Sequence, residues 1–438
     1  MTRSRTGGGE PPQAVGTETP IAGGAERESG AAGEPSIFGN RNFRRLFTAN
    51  TVSLYGSQVS YLAVPLTAVT VLDASPAQVG LLGVLSTVSF LLVGLPAGVW
   101  VDRMPRRPIM FTADFGRALL LGSIPVAWLL GALTLTQLYV VVFVSGTLTV
   151  FSDISAQSFL PSIVQRERLL QANGYIGSVR ESSGVAGPSL GGLLLQLMAA
   201  PVAVVVDAFG FLLSGLLISR IDRVDESHTV AEKKALYRGI WDGVRFVFSH
   251  PLLRPIATAG AITNFSLQMV TIMLPLLFEQ VLHLSAWRLG LYLAVGGIGS
   301  LIGAYTGPRL AERVGQGRVL WLAGLVTAPF AGLVPLIGDG AMYWVSAVCW
   351  LVVTYRMGMN SVVLVSFRQR VTPNELLGRM NATMRFALTG ATALGAGASG
   401  LVGQFFGVRA SLYVGAVGLA VAWLPYVFSP LRRMRTLP

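Results

Sequence analysis

The sequence predicts an all-helical membrane protein of twelve transmembrane helices, arranged as two pseudo-repeats of six. Three observations carry this. Hydrophobic residues make up 52% of the 438 and charged residues only 12%, about half the charged share of a soluble domain; mean hydropathy is +0.60. Apolar runs long enough to cross a bilayer, which takes about 20 residues, recur along the chain. Small-residue motifs repeat between the two halves at an offset near 208.

The elements follow in order. Residues 1–37 are rich in Gly, Glu, Thr, Ala and Pro and hold no apolar core of signal-peptide length, so a disordered cytoplasmic tail is expected. No charge falls between Arg45 and Asp73, or between Asp73 and Asp102, which gives spans one and two. The stretch 108–160 holds two spans with a turn at Gly131–Gln137. Spans five and six occupy 172–198 and 201–220, divided at Pro201. These six make an N-terminal bundle over 38–221. Residues 222–254 are dense in charge and form a cytoplasmic linker, with amphipathic spacing over Tyr237–Phe248 that predicts a surface helix. Spans seven to twelve follow at 255–280, 288–310, 318–337, 341–366, 378–405 and 409–430, a C-terminal bundle over 255–431. A basic tail, 432–438, ends the chain.

Charge fixes the expected orientation. With both termini in the cytoplasm, 27 of the 33 Lys and Arg fall in cytoplasmic segments and only Arg288 and Arg409 in outer loops. The positive-inside rule favours that topology, in the cytoplasmic membrane of a bacterium. The net charge of +12 is therefore read as membrane topology and not as a nucleic-acid footprint. The single cysteine, Cys349, excludes an intramolecular disulfide, and three scattered histidines match no metal-ligand spacing. No phosphate-binding G-x-x-x-x-G-K-[ST] loop and no nucleophile–base constellation occurs, so neither an ATPase nor another enzyme is expected, and no cofactor.

The repeat is visible as Gly94-x-x-x-Gly98 against Gly303-x-x-x-Gly307, and as Gly187 and Gly191 against Gly395 and Ser399. Between spans two and three stands Gly98-Val-Trp-Val-Asp102-Arg103-Met-Pro-Arg106-Arg107. It resembles the signature loop of the major facilitator superfamily, with Pro105 in place of the usual glycine. The resemblance implies the major facilitator fold, in which two six-helix units share an axis along the membrane normal. It also implies a cytoplasmic latch made by Gly98, Asp102, Arg103, Arg106 and Arg107, with Asp153 as its second acid. Gly98 is expected to allow close helix packing.

In span five, Gly184, Gly187, Pro188 and Gly191 share one narrow face at about 100° per residue, and Gly192 adjoins it. The pattern resembles the antiporter motif of drug exporters in that superfamily and implies export against proton influx. Asp114-x-x-Arg117, Asp207-Ala-Phe and Leu376-Leu377-Gly378-Arg379-Met-Asn381 further resemble its macrolide-efflux-like and enterobactin-exporter-like subgroup.

Charges inside spans are costly, so they are paired or functional. Asp114 and Arg117 lie three apart on one face and can pair; Glu181, beside Arg180, is the first expectation for the proton-coupling carboxylate, with Asp114 and Arg117 next. Asp207 reads as a boundary acid near the outer end of span six. Superfamily cavities are lined by spans one, four, seven and ten, which nominates Tyr55, Gln58, Asn264, Gln268 and Arg356 for the substrate cavity. Such walls suit a bulky amphipathic molecule. The expected function is a proton-coupled exporter of antibiotic-, drug- or siderophore-like molecules, acting as a monomer in the lipid bilayer. The alternative is an importer or facilitator of a sugar or other small metabolite.

Overall fold

The computed structural model describes residues 37–101, 103–222, 243–373 and 376–434, and all regular structure among them is helical. The bundle helices are α1 (Arg41–Val71), α2 (Pro76–Val101), α3 (Arg106–Leu129), α4 (Leu135–Ile163), α5 (Leu169–Leu197), α6 (Ala200–Ser219), α7 (Leu253–Thr271), α8 (Ala286–Val314), α9 (Gln316–Leu333), α10 (Ala341–Val371), α11 (Leu377–Phe406) and α12 (Val408–Val421). Beyond Thr271 the line of α7 continues through Leu274–Leu276 and a π-helical turn, Leu277–Val281. Among the described residues, ten helices are long and apolar enough to cross a membrane. The two others of bundle length, α1 and α5, are more polar, and they carry much of the cavity wall described below.

Local signals place the ends. Asn40 caps α1: its Oδ1 accepts from the backbone N–H of Asn42 (2.9 Å) and Phe43 (3.2 Å). Its Nδ2 donates to Ile163 O at 2.8 Å, tying the start of α1 to the end of α4. Thr134 caps α4 through Gln137 N at 3.2 Å, and Gly131, at φ +64, makes the expected turn before it. Of the surface helix expected over Tyr237–Phe248, residues 237–242 lie outside the described residues and 243–249 are helical. The expected tails at 1–36 and 435–438 also lie outside them.

The internal repeat governs the packing. In the first half α1 packs on α5 and α6, α3 on α4 and α6, and α2 on α4. In the second, α7 packs on α11 and α12, α9 on α10 and α12, and α8 on α10, which is the same set moved on by six helices. Even the turns agree. Asp73 and His283 each adopt positive φ (47° and 50°). The residue after each donates back six positions, Ala74 N to Ala68 O at 2.9 Å and Leu284 N to Phe278 O at 2.7 Å.

Two long helix pairs, α2 with α11 and α5 with α8, make most of the join between the halves, and α1 also touches Leu274–Leu276. Both close on glycine. A Cβ added at Gly400 would lie 3.0 Å from Gly80 Cα, and one added at Gly192 would lie 2.9 Å from Gly290 Cα. These contacts sit at the far end of the bundle, opposite the end where α1 begins. One apolar core spans both halves there, from Val59 and Leu62 of α1 to Leu289 and Tyr292 of α8. At the near end the core divides. One cluster (Phe43, Met110, Phe159, Ile218) belongs to the first half alone. Another (Leu253, Met359, Phe367, Leu431) belongs to the second. The halves are therefore sealed at the far end and parted at the near end.

Candidate functional site

The polar walls of α1, α3, α4, α5 and α6 enclose a cavity of about 580 Å³ in the first half. A second space of about 240 Å³ shares Ser57, Tyr61, Arg117 and Thr149 with it and reaches the other half at Gln268 and Thr271. The two spaces are lined by the buried charges of the first half. Asp114 is 2% exposed, Arg117 7% and Asp207 2%.

Arg117 is held from several sides. Its guanidinium pairs with Asp114 as the spacing predicts, donates to Thr149 Oγ1 at 3.2 Å and lies 4.0 Å over the ring of Phe211. Asp114 also accepts from Ser214 Oγ at 2.6 Å. A buried pair needs such extra bonds to offset its desolvation. Asp207 sits near the middle of α6 and not at a boundary, which corrects the sequence reading. It has no cation within 4.0 Å among the described residues; Ser57 Oγ donates to it at 3.4 Å. Gly56 leaves room for it, since a Cβ there would lie 2.8 Å from Asp207 Oδ1. The signal lay on the partner helix: a Gly56-Ser57 pair in α1 is the small, hydrogen-bonding surface a buried carboxylate needs.

Glu181 is exposed on α5 and stands apart from this network, whereas Arg180 lines the larger cavity. Gln58 lines that cavity too, and Gln268 lines the smaller one. Tyr55 is not on either wall; its hydroxyl donates to Ser182 Oγ at 3.1 Å. Asn264 and Arg356 line a separate cavity in the second half.

The glycine face of α5 is divided by the parting of the halves. Gly187 and Gly191 pack on α1 at Gln58 and Val59, while Gly192 and the carbonyl of Pro188 meet Gly290 of α8. Gly184 faces open space. Gly98 also meets nothing within 4 Å, so the close packing expected of it is absent here, although Trp100 beside it stacks on Phe151 of α4. Its counterpart Gly307 is packed against Met359. Of the expected latch, Asp102 lies outside the described residues. Arg107 donates to Ile218 O at 3.3 Å and to Ser219 O, closing the end of α6. Arg103 is exposed in the turn, Arg106 is half-buried at the start of α3, and Asp153 lines the cavity from α4. Among the described residues no cluster of His, Cys, Asp and Glu suits a metal ion.

Known proteins resemble the chain along most of its length. The family profile described as Major Facilitator Superfamily matches residues 46–396. An uncharacterised MFS-type transporter, YfiS of Bacillus subtilis strain 168, is 25% identical over 390 residues, covering 87% of this chain and 91% of that protein. The enterobactin exporter EntS of Salmonella typhimurium strain LT2 is 26% identical over 400 residues, covering 90% and 94%. Among solved structures, a bacterial homologue of the iron transporter ferroportin in an inward-facing state superposes with a TM-score of 0.71 at 18% identity, over 90% of this chain and 99% of that one. The outward-facing structure of such a homologue gives 0.57 at 20% identity, over 88% and 98%.

Proposed function

The chain belongs to the major facilitator superfamily of membrane transporters, and from that premise we propose that it is a proton-coupled exporter of small amphipathic molecules working by alternating access. The observation that carries this reading is Asp207, a buried carboxyl without an ion partner among the described residues, lining a cavity that touches both halves. A carboxyl desolvated in this way gains or loses its proton with the water access of the cavity. Arg117 lines the same space and already pairs with Asp114. Protonation of one carboxyl leaves the guanidinium to favour the other, so the proton state of the network biases how the halves sit.

In this reading the near end faces the cytoplasm of a bacterial cell, as the charge bias suggests, and the open cavity takes its solute from there. The proton-linked rocking then carries the solute to the far side. The mixed walls, with Tyr61, Phe211, Leu121 and Leu293 beside serines and glutamines, suit a molecule that is apolar with a few hydrogen-bonding groups. An exporter among the relatives supports the outward direction. The near-end loop Gly98–Arg107 is assigned to the latch that closes the cavity after release.

The test uses energised inside-out vesicles, following ethidium and internal pH together. Dye accumulation with coupled proton release, lost in Asp207→Asn and kept in Glu181→Gln, supports the assignment. Loss in Glu181→Gln alone moves the coupling site to α5. Dye moving down its own gradient, with no proton release, makes the protein a facilitator.

A further inference from the structure

The second half holds a cavity of about 320 Å³ for which the coupling network has no use. On α10, Arg356, Asn360, Leu364 and Arg368 recur every four residues and form one stripe along its wall. At 1.5 Å per residue the stripe spans about 18 Å of helix, from mid-bundle to the near end. Ile256 and Leu267 of α7 and Leu388 of α11 supply the apolar side.

Arg356 is 3% exposed. Its Nη2 donates to Leu419 O at 2.9 Å, and its Nε has no partner. Neither Arg356 nor Arg368 has a carboxylate within 4.0 Å among the described residues. Arg368 Nε and Asn360 Oδ1 are likewise buried without a partner. The O and N of an asparagine amide are interchangeable by a flip, so Asn360 can turn its NH₂ to the cavity. A guanidinium out of water and without a counter-charge is expensive. All three residues line one space, and among its described lining residues the charged side chains are these two arginines.

We infer that this pocket binds the anionic group of an amphipathic organic acid, with Arg356 as the deep anchor and Arg368 nearer the mouth. The acid's apolar body lies along Leu364 and Leu388. The inference extends the exporter reading by naming a substrate class, but the binding it describes does not depend on transport. The same chemistry, an anionic oxygen group on an apolar body, is offered by a free acid and by an anionic lipid headgroup.

The experiment is equilibrium dialysis of the full-length protein in phosphatidylcholine nanodiscs. The probes are 1-naphthaleneacetate and 2-(1-naphthyl)ethylamine, which share a ring and differ in charge. The acid is expected to bind about tenfold or more tightly than the amine. Arg356→Gln removes that preference, Arg356→Lys restores part of it, and Arg368→Gln weakens it several-fold. Equal affinity for acid and amine, or unchanged acid binding in Arg356→Gln, overturns the inference. Nanodiscs containing phosphatidylglycerol separate the sources: acid binding abolished there, with the lipid retained by wild type and not by Arg356→Gln, overturns the free acid in favour of the headgroup. If Arg356→Gln does not stay monodisperse, Arg368→Gln and Asn360→Ala carry the comparison. Dye export in vesicles is scored apart. Acid binding absent with export intact sinks this inference alone, and the reverse sinks the exporter reading alone.

Discussion

Ser57 of α1 donates its hydroxyl to Asp207 of α6 at 3.4 Å, across a gap that Gly56 keeps open. Asp207→Asn preserves shape and the hydrogen bond but cannot carry a proton. Its dye-accumulation rate is expected to stop responding to collapse of the pH gradient, with loss of roughly 5- to 150-fold in gradient-driven uptake, the range of typical coupling energies. Ser57→Ala keeps the proton site and loses less. A variant that still responds to the gradient as wild type does rules out Asp207.

The Asp114–Arg117 pair is expected to behave as a buried unit. Arg117→Ala leaves Asp114 without its cation and costs about 3–5 kcal/mol. Asp114→Asn with Arg117→Ala removes both charges and recovers a large part of that, compared with each single variant. Thermal unfolding in detergent reads the difference. Additive losses in the double variant would show that the two side chains act separately.

The far-end seal rests on glycine. Gly192→Leu forces a side chain onto the Gly290 backbone, and overpacking of this kind costs about 1–3 kcal/mol. Populations are expected to shift away from the near-end-open arrangement. A cysteine at Ser178, exposed on the near-end half of α5, in a Cys349→Ser background reports this as slower maleimide labelling. Gly184→Leu, which meets open space, serves as the control, and labelling equally slowed in both would refute the seal.

Asp339, in the loop before α10, is fully exposed; the Gly340 N–H and the Arg288 guanidinium hold its carboxyl below the usual carboxylate range. A depressed folded value adds stability above the unfolded value of about 3.9, and that contribution is lost as pH falls through the folded value. Asp339→Asn is therefore expected to melt slightly below wild type at pH 6, with the gap narrowing as pH falls through the depressed folded value. A gap that widens on acidification contradicts the sign.

Much of this was legible because hydropathy and charge are local signals. The twelve helices follow from where charges are absent, the repeat from small-residue motifs at a fixed offset, and Asp114–Arg117 from spacing on one helix. The burial of Asp207 was missed because its environment is made by a different helix: Ser57 lies 150 residues away in sequence. Glu181 and Gly98 were read as interior because each lies in a helix rich in small residues. Whether such positions are covered depends on neighbouring helices distant in sequence, and this structure leaves Glu181 exposed and Gly98 open. Tyr55 shows the same limit on a smaller scale, since Ser182 claims its hydroxyl.

The two glycine contacts that join the halves are images of one another. Gly80 and Gly290 occupy matching places in α2 and α8, and Gly400 and Gly192 matching places in α11 and α5. In a dimer of identical six-helix chains, two codons would set both edges at once, and any change at one edge would be copied to the other. In the fused chain four codons set them. Each edge can thus accept a substitution by itself, which gives a duplicated gene room to tilt its opening to one side.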